Sequence, residues 1–101
     1  MNFDQIKQAR ELKAKMDKIQ KELDKTLVEG EGGKGMVKIT MTGKMEVKAV
    51  KIDPSVIDPK NEKKLEEMVL KAIDDAVEKS QKEAEKQLKE LYGGLKIPGL
   101  F

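Results

Sequence analysis

Three groups of residues in this 101-residue chain have types and spacings that could do chemistry: a glycine run, adjacent carboxylates and a large set of lysines. Gly30-x-Gly32-x-x-Gly35 matches the spacing of a dinucleotide fingerprint, whose glycines let the backbone approach a pyrophosphate at a helix N-terminus. That chemistry needs a helix directly after the motif. The residues that follow, Met36 to Thr42, alternate as a strand does, so the run reads as a flexible hairpin loop. It also fails as a P-loop, because Met36 follows Gly35 where a Lys and a Ser or Thr would be needed. Asp74-Asp75 and Glu66-Glu67 are paired carboxylates, but neighbours on a helix point about 100° apart and do not converge on one ligand. They read as solvated helix faces, since acid–base work needs two carboxyls facing across a cleft.

The composition removes most other chemistry. With no His and no Cys, the usual general base, thiolate nucleophile and soft metal ligands are missing. Of two serines, Ser55 sits in a turn-rich stretch and Ser80 in a helical one, neither beside a base. No enzyme activity, metal or cofactor is expected; a small-ligand site at the Gly30–Gly35 loop is the remaining route to one. One Tyr, two Phe and no Trp leave little for base stacking. No apolar run approaches the roughly 18 residues of a membrane span, and Met1-Asn2-Phe3-Asp4 lacks the start of a signal peptide. The expectation is a soluble cytoplasmic protein.

The lysines carry the most weight. Charged residues make up 40% of the chain, yet the net charge is only +2. Lys7, Arg10, Lys13, Lys15, Lys18 and Lys21 lie off the apolar seam of a first helix, and Lys79, Lys82, Lys86 and Lys89 lie toward the end of a second. Such rows suit phosphate contacts, which bind DNA without reading its sequence. Arg10 is the only arginine, so guanine readout is poorly supplied. From charge alone, acidic neighbours favour a solvated face: Glu11–Lys15, Asp17–Lys21, Asp75–Lys79, Glu78–Lys82 and Glu85–Lys89 are all spaced i,i+4.

The elements that must carry these residues follow from periodicity. Phe3 to Lys25 holds no Gly or Pro, and Ala9, Leu12, Met16, Ile19 and Leu23 form a heptad seam widened by Ile6. Asn2 followed by Gln5 predicts its cap. Thr26-Leu27-Val28 starts a strand that Gly30 to Gly35 should break. Met36–Thr42 and Met45–Ile52 predict a hairpin about Gly43-Lys44, and a change of face near Ala49 predicts a bulge. Asp53-Pro54 and Asp58-Pro59 bracket a connection, with Asp58 entering a helix from Asn61 to Tyr92. The fold class is therefore α+β, ordered α-β-β-β-α, with a small antiparallel three-stranded sheet flanked by two long helices.

Residues 1–92 read as one domain and 93–101 as a short apolar tail. The helices would be roughly 34 and 46 Å long, too long for a compact body whose radius of gyration would be about 13 Å. Their free ends should pair antiparallel as a two-helix arm. Uncovered apolar positions such as Ala84, Leu88 and Leu91, with open sheet edges, favour a homodimer.

The ordered pieces Met16-Asp17-Lys18-Ile19-Gln20, Gly32-Gly33-Lys34-Gly35-Met36-Val37-Lys38-Ile39-Thr40-Met41-Thr42-Gly43, Val50-Lys51-Ile52-Asp53-Pro54-Ser55 and Leu65 to Ala76, with Ile97-Pro98-Gly99-Leu100-Phe101, give the chain its family likeness. Over essentially its whole length it resembles the YbaB/EbfC family of bacterial nucleoid-associated proteins. The resemblance implies a tweezer-shaped cytoplasmic homodimer, associated with the nucleoid, that binds duplex DNA through helical arms and is not an enzyme. No short motif transfers individual contacts. Lys7, Arg10, Lys13, Lys15, Lys79, Lys82, Lys86 and Lys89 are the candidates by chemistry. The alternative is a protein–protein adaptor using the arm groove or the apolar tail, with no affinity for nucleic acid.

Overall fold

Asn2 starts the first helix: its side-chain oxygen accepts the Gln5 amide at 2.9 Å, satisfying one of the free donors of the first turn. This helix, α1, spans Phe3–Lys25 in a computed structural model that describes residues 2–92. The tail set apart in the sequence, residues 93–101, lies outside the described residues. Thr26 ends α1 by turning extended while its amide still bonds the Glu22 carbonyl at 2.9 Å. Three strands follow, β1 (Leu27–Gly32), β2 (Val37–Thr42) and β3 (Val47–Ile52), then a 3₁₀ turn at Pro54–Val56 and α2 (Glu62–Tyr92). The sheet is antiparallel in the order β1-β2-β3. This is the α-β-β-β-α order expected, in the α+β class.

The glycine run departs from expectation. β1 continues through Gly30 and Gly32 rather than breaking there. Both are buried beneath α2, whose backbone comes so close that a Cβ on Gly30 would strike the Ala72 carbonyl and the Ala76 amide. A Cβ on Gly32 would strike the Met68 carbonyl. These two glycines let a helix seat directly on a strand, a role that spacing alone does not distinguish from a loop. The turn proper is Gly33 to Met36, closed by the Met36 amide on the Gly33 carbonyl at 3.2 Å. Lys34 and Gly35 both hold positive φ there, as a type I′ hairpin turn requires.

The second hairpin matches in outline. Met45 adopts φ 64° and stays in the turn, so β3 begins at Val47 rather than at Met45. Thr40 pairs with Ala49 and Met41 with Val47, which leaves Lys48 as the extra residue of a bulge beside Ala49. Thr42 organises the turn, its hydroxyl accepting from the amides of Lys44 and Glu46, both at 3.2 Å. Asp58 bonds the Lys60 amide at 2.9 Å, shaping the turn before α2 rather than capping the helix itself.

The core is thin. Val37, Ile39 and Met41 alternate on β2 and pack against Ala72 and Ala76 of α2, with Val28, Ile52, Leu65, Met68, Val69 and Val77 around them. Ser80, fully buried, donates to the Thr42 carbonyl at 2.8 Å. The molecule is long for its mass, 68 × 23 × 18 Å with a radius of gyration of 19.1 Å.

The root of α1 is fixed by Gly43, whose amide bonds the carbonyls of Leu23 and Thr26, each at 3.0 Å. Leu23 and Ile19 are its only buried residues. α1 and α2 run antiparallel and line a shared groove with Lys15, Lys18, Ile19, Glu22, Gln87, Glu90 and Leu91, so they pair as a two-helix arm over that stretch. From Phe3 to Lys15 every residue of α1 is exposed, including Phe3 at 92%.

Candidate nucleic-acid interface

The eight candidate residues separate into sets. Lys7, Arg10 and Lys13 stand three apart on the projecting part of α1, forming an inclined row of exposed cations. They make no ion pair among the described residues. Lys15, also exposed, turns toward α2 and lines the shallow groove with Lys18, Ile19, Glu22, Gln87, Glu90 and Leu91. It therefore faces away from the other three.

On α2, Lys79, Lys82, Lys86 and Lys89 are spaced three, four, three and share one helix face. Their surroundings differ. Lys79 is held by Asp75 at 3.1 Å and donates to the Glu29 carbonyl at 2.8 Å. Lys82 pairs with Glu78 at 3.0 Å, but both side chains are mostly in solvent, where such a pair is weak. Lys86 and Lys89 are exposed without an ion pair among the described residues and line a shallow concavity with Lys82, Glu85 and Glu90. Asp75 also accepts the Glu31 amide at 2.9 Å. That bond, and then the Lys79 ammonium, hold its carboxyl below the usual range.

Two lysines escaped the sequence reading. Lys38 and Lys51 face each other directly across β2 and β3, on the sheet face turned away from α2. Like charges in that position repel, and Glu29 compensates Lys38 only at 3.7 Å. The juxtaposition depends on a register that passes the bulge at Lys48, which a linear sequence does not display.

The paired carboxylates do not converge: Asp75 turns to β1, while Asp74, Glu66 and Glu67 are exposed. Among the described residues no cluster of His, Cys, Asp or Glu could hold a metal ion, and no helix is long and apolar enough to cross a membrane.

Several known proteins are similar to this chain over most of its length. A curated relative from Afipia carboxidovorans, named nucleoid-associated protein, is 45% identical over 95 residues, covering 94% of this chain and 90% of its own. Another of that name, from Dictyoglomus turgidum, is 45% identical over 100 residues, covering 98% and 96%. The crystal structure of an uncharacterized Helicobacter pylori protein shares the fold, with a TM-score of 0.65 at 22% identity over 94% of this chain and 97% of that one. The sequence model of a DNA-binding family, not an enzyme family, matches residues 1–95. With the helix, the three-stranded sheet and the long second helix in the same order, the chain belongs to the YbaB/EbfC DNA-binding family.

Proposed function

We propose that this protein binds duplex DNA in the nucleoid as a homodimer, mainly through phosphate contacts from its helical arms, and so organises the nucleoid or regulates expression. The observation that carries the reading is the pair of lysine rows. Lys7, Arg10 and Lys13 on the projecting half of α1, with Lys82, Lys86 and Lys89 on α2, are exposed. Only Lys82 among them is ion-paired within the described residues. Lys15 is a secondary contact, and Lys79 is committed to β1 and contributes least. Arg10 aside, the set is all lysine, which suits charge neutralisation rather than base reading.

A second copy supplies the other arm. α2 packs over β1 and β2 and leaves the same face of β3 open, where Val47 and Val50 are 52% and 54% exposed. Asp75 and Lys79 touch β1, so the opposite flank of α2, bearing Ile73 and Val77, lies toward β3. Exposed Ile73 and Leu70 extend the patch along α2. Contiguous apolar surface of this kind marks an interface, and a closed two-fold dimer is the usual solution.

The test is fluorescence anisotropy of a random-sequence duplex of about 30 base pairs while salt rises from about 20 to 200 mM, with light scattering on the same sample. About six phosphate contacts give a log–log slope near −5. Reversing Lys7, Arg10 and Lys13 to Glu removes up to six contacts from the dimer, so affinity falls and most of the salt slope is lost. A clean dimer with no binding at the lowest salt overturns the reading in favour of the adaptor.

A further inference from the structure

Leu12, Ala9, Ile6 and Phe3 recur every third residue along the projecting half of α1, and among the described residues nothing packs on them. Residues three apart on a helix form a ridge inclined to its axis. A short helix with no tertiary partner is marginal in water, because its stability comes mostly from burying its apolar face. Something must cover this ridge if the arm is to hold its shape.

The chain supplies a matching segment at the right place. α2 runs antiparallel to α1 and brings Leu91 beside Lys15, Lys18 and Ile19. Leu12 is about one helical turn farther along α1. After Tyr92 come Gly93-Gly94 and then Leu95-Lys96-Ile97-Pro98-Gly99-Leu100-Phe101, whose Leu95, Ile97, Leu100 and Phe101 are apolar. Three steps of about 5–6 Å along the ridge make roughly 17 Å, and the six steps between Leu95 and Phe101 reach about 20 Å when extended. Lys7, Arg10 and Lys13 each follow a ridge residue by four positions, so a segment on the ridge runs alongside that row of cations.

We propose that residues 95–101 dock along the Leu12–Ala9–Ile6–Phe3 ridge of α1 in the same chain, stiffening the arm from its apolar side. The docking stands without the DNA reading; only its effect on DNA affinity rests on it.

Hydrogen exchange separates the possibilities. Backbone amides from Gln5 to Ala14 are followed in the full chain and in a chain ending at Gly94, each at several protein concentrations and without DNA. The docked tail protects these amides at least tenfold in the full chain, independently of concentration, and the shortened chain loses that protection. Equal protection in both chains overturns the proposal. So does protection that fades on dilution, which identifies a second copy as the cover. Because the chain has no cysteine, Gln8→Cys with Lys96→Cys gives an independent check. Mild oxidation should link the pair within one chain; disulfide-linked dimers alone overturn the proposal. The shortened chain should keep the exchange pattern of Val37, Ile39 and Ala72, which shows that its core is intact. DNA affinity is measured last: arm protection that is lost with the tail, in a full chain that binds no DNA at the lowest salt, would overturn the DNA reading and leave the docking standing.

Discussion

The Lys79 ammonium donates to the Glu29 carbonyl at 2.8 Å, joining α2 to the outer edge of β1 across 50 positions of sequence. One turn earlier on α2, Asp75 accepts the Glu31 amide from the same edge at 2.9 Å. An edge strand left open invites pairing with another chain. Here a carboxylate and an ammonium occupy a donor and an acceptor that such a partner would use.

Lys79→Ala should therefore lower stability by about 1 kcal/mol, the usual worth of one such bond, with little loss of DNA affinity. Lys86→Glu, at an exposed position, should do the reverse. Urea unfolding and salt-stepped anisotropy on both variants check the assignment.

Asp75 also sets a pH dependence. The Glu31 amide and then Lys79 lower its carboxyl pKa in the fold, so the native state holds fewer protons than the unfolded chain. The contribution is full above the ordinary carboxylate value of about 3.9. It is lost as pH falls through the lowered native value. Asp53, lowered by the Ser55 amide and hydroxyl, has the same sign. Stability measured by urea from about pH 5 to pH 2 should fall less steeply in Asp75→Asn, and less still with Asp53→Asn added.

Gly30→Ala tests the seating of α2. Alanine normally outperforms glycine inside a strand by about 0.5–1 kcal/mol. Here its methyl would meet the backbone of Ala72 and Ala76. The expected loss is about 3 kcal/mol or more, since helix backbone yields less readily than a side chain. Gly35→Ala, where the neighbours are distant but φ is 86°, should cost about 1 kcal/mol from backbone strain. Chemical denaturation should rank the two variants in that order.

Val50→Glu tests the dimer. The side chain is over half exposed in one chain, so a charge there leaves the core in place. Light scattering should give a monomer, and the unfolding midpoint should lose the dependence on protein concentration expected of the dimer.

Much of this was legible in the residues. α1 was readable end to end because Asn2 marks its start and no Gly or Pro interrupts it before Lys25. The β2–β3 hairpin was readable because Val37, Ile39 and Met41 alternate, and the bulge because the apolar face shifts near Ala49. β1 was hidden, since Gly30 and Gly32 look like loop residues until α2 is known to press on them. The lysine rows were visible, but not their different surroundings: Lys79 turns to Glu29, a contact set by tertiary packing. Lys38 opposite Lys51 depends on sheet register and could not be counted along the chain.

Mechanically, α1 is a cantilever. Gly43 clamps its root through two hydrogen bonds, and the last buried side chain along its length is Ile19. From Ile19 to Phe3 the beam is about 24 Å long. A 5° tilt about Ile19 would thus move the tip by about 2 Å. In the proposed dimer, the gape between two such beams would be adjustable by small repacking at Leu23 and Gly43. Substitutions of Leu23 or Gly43, far from Lys7, Arg10 and Lys13, would thus alter how the proposed dimer grips a duplex.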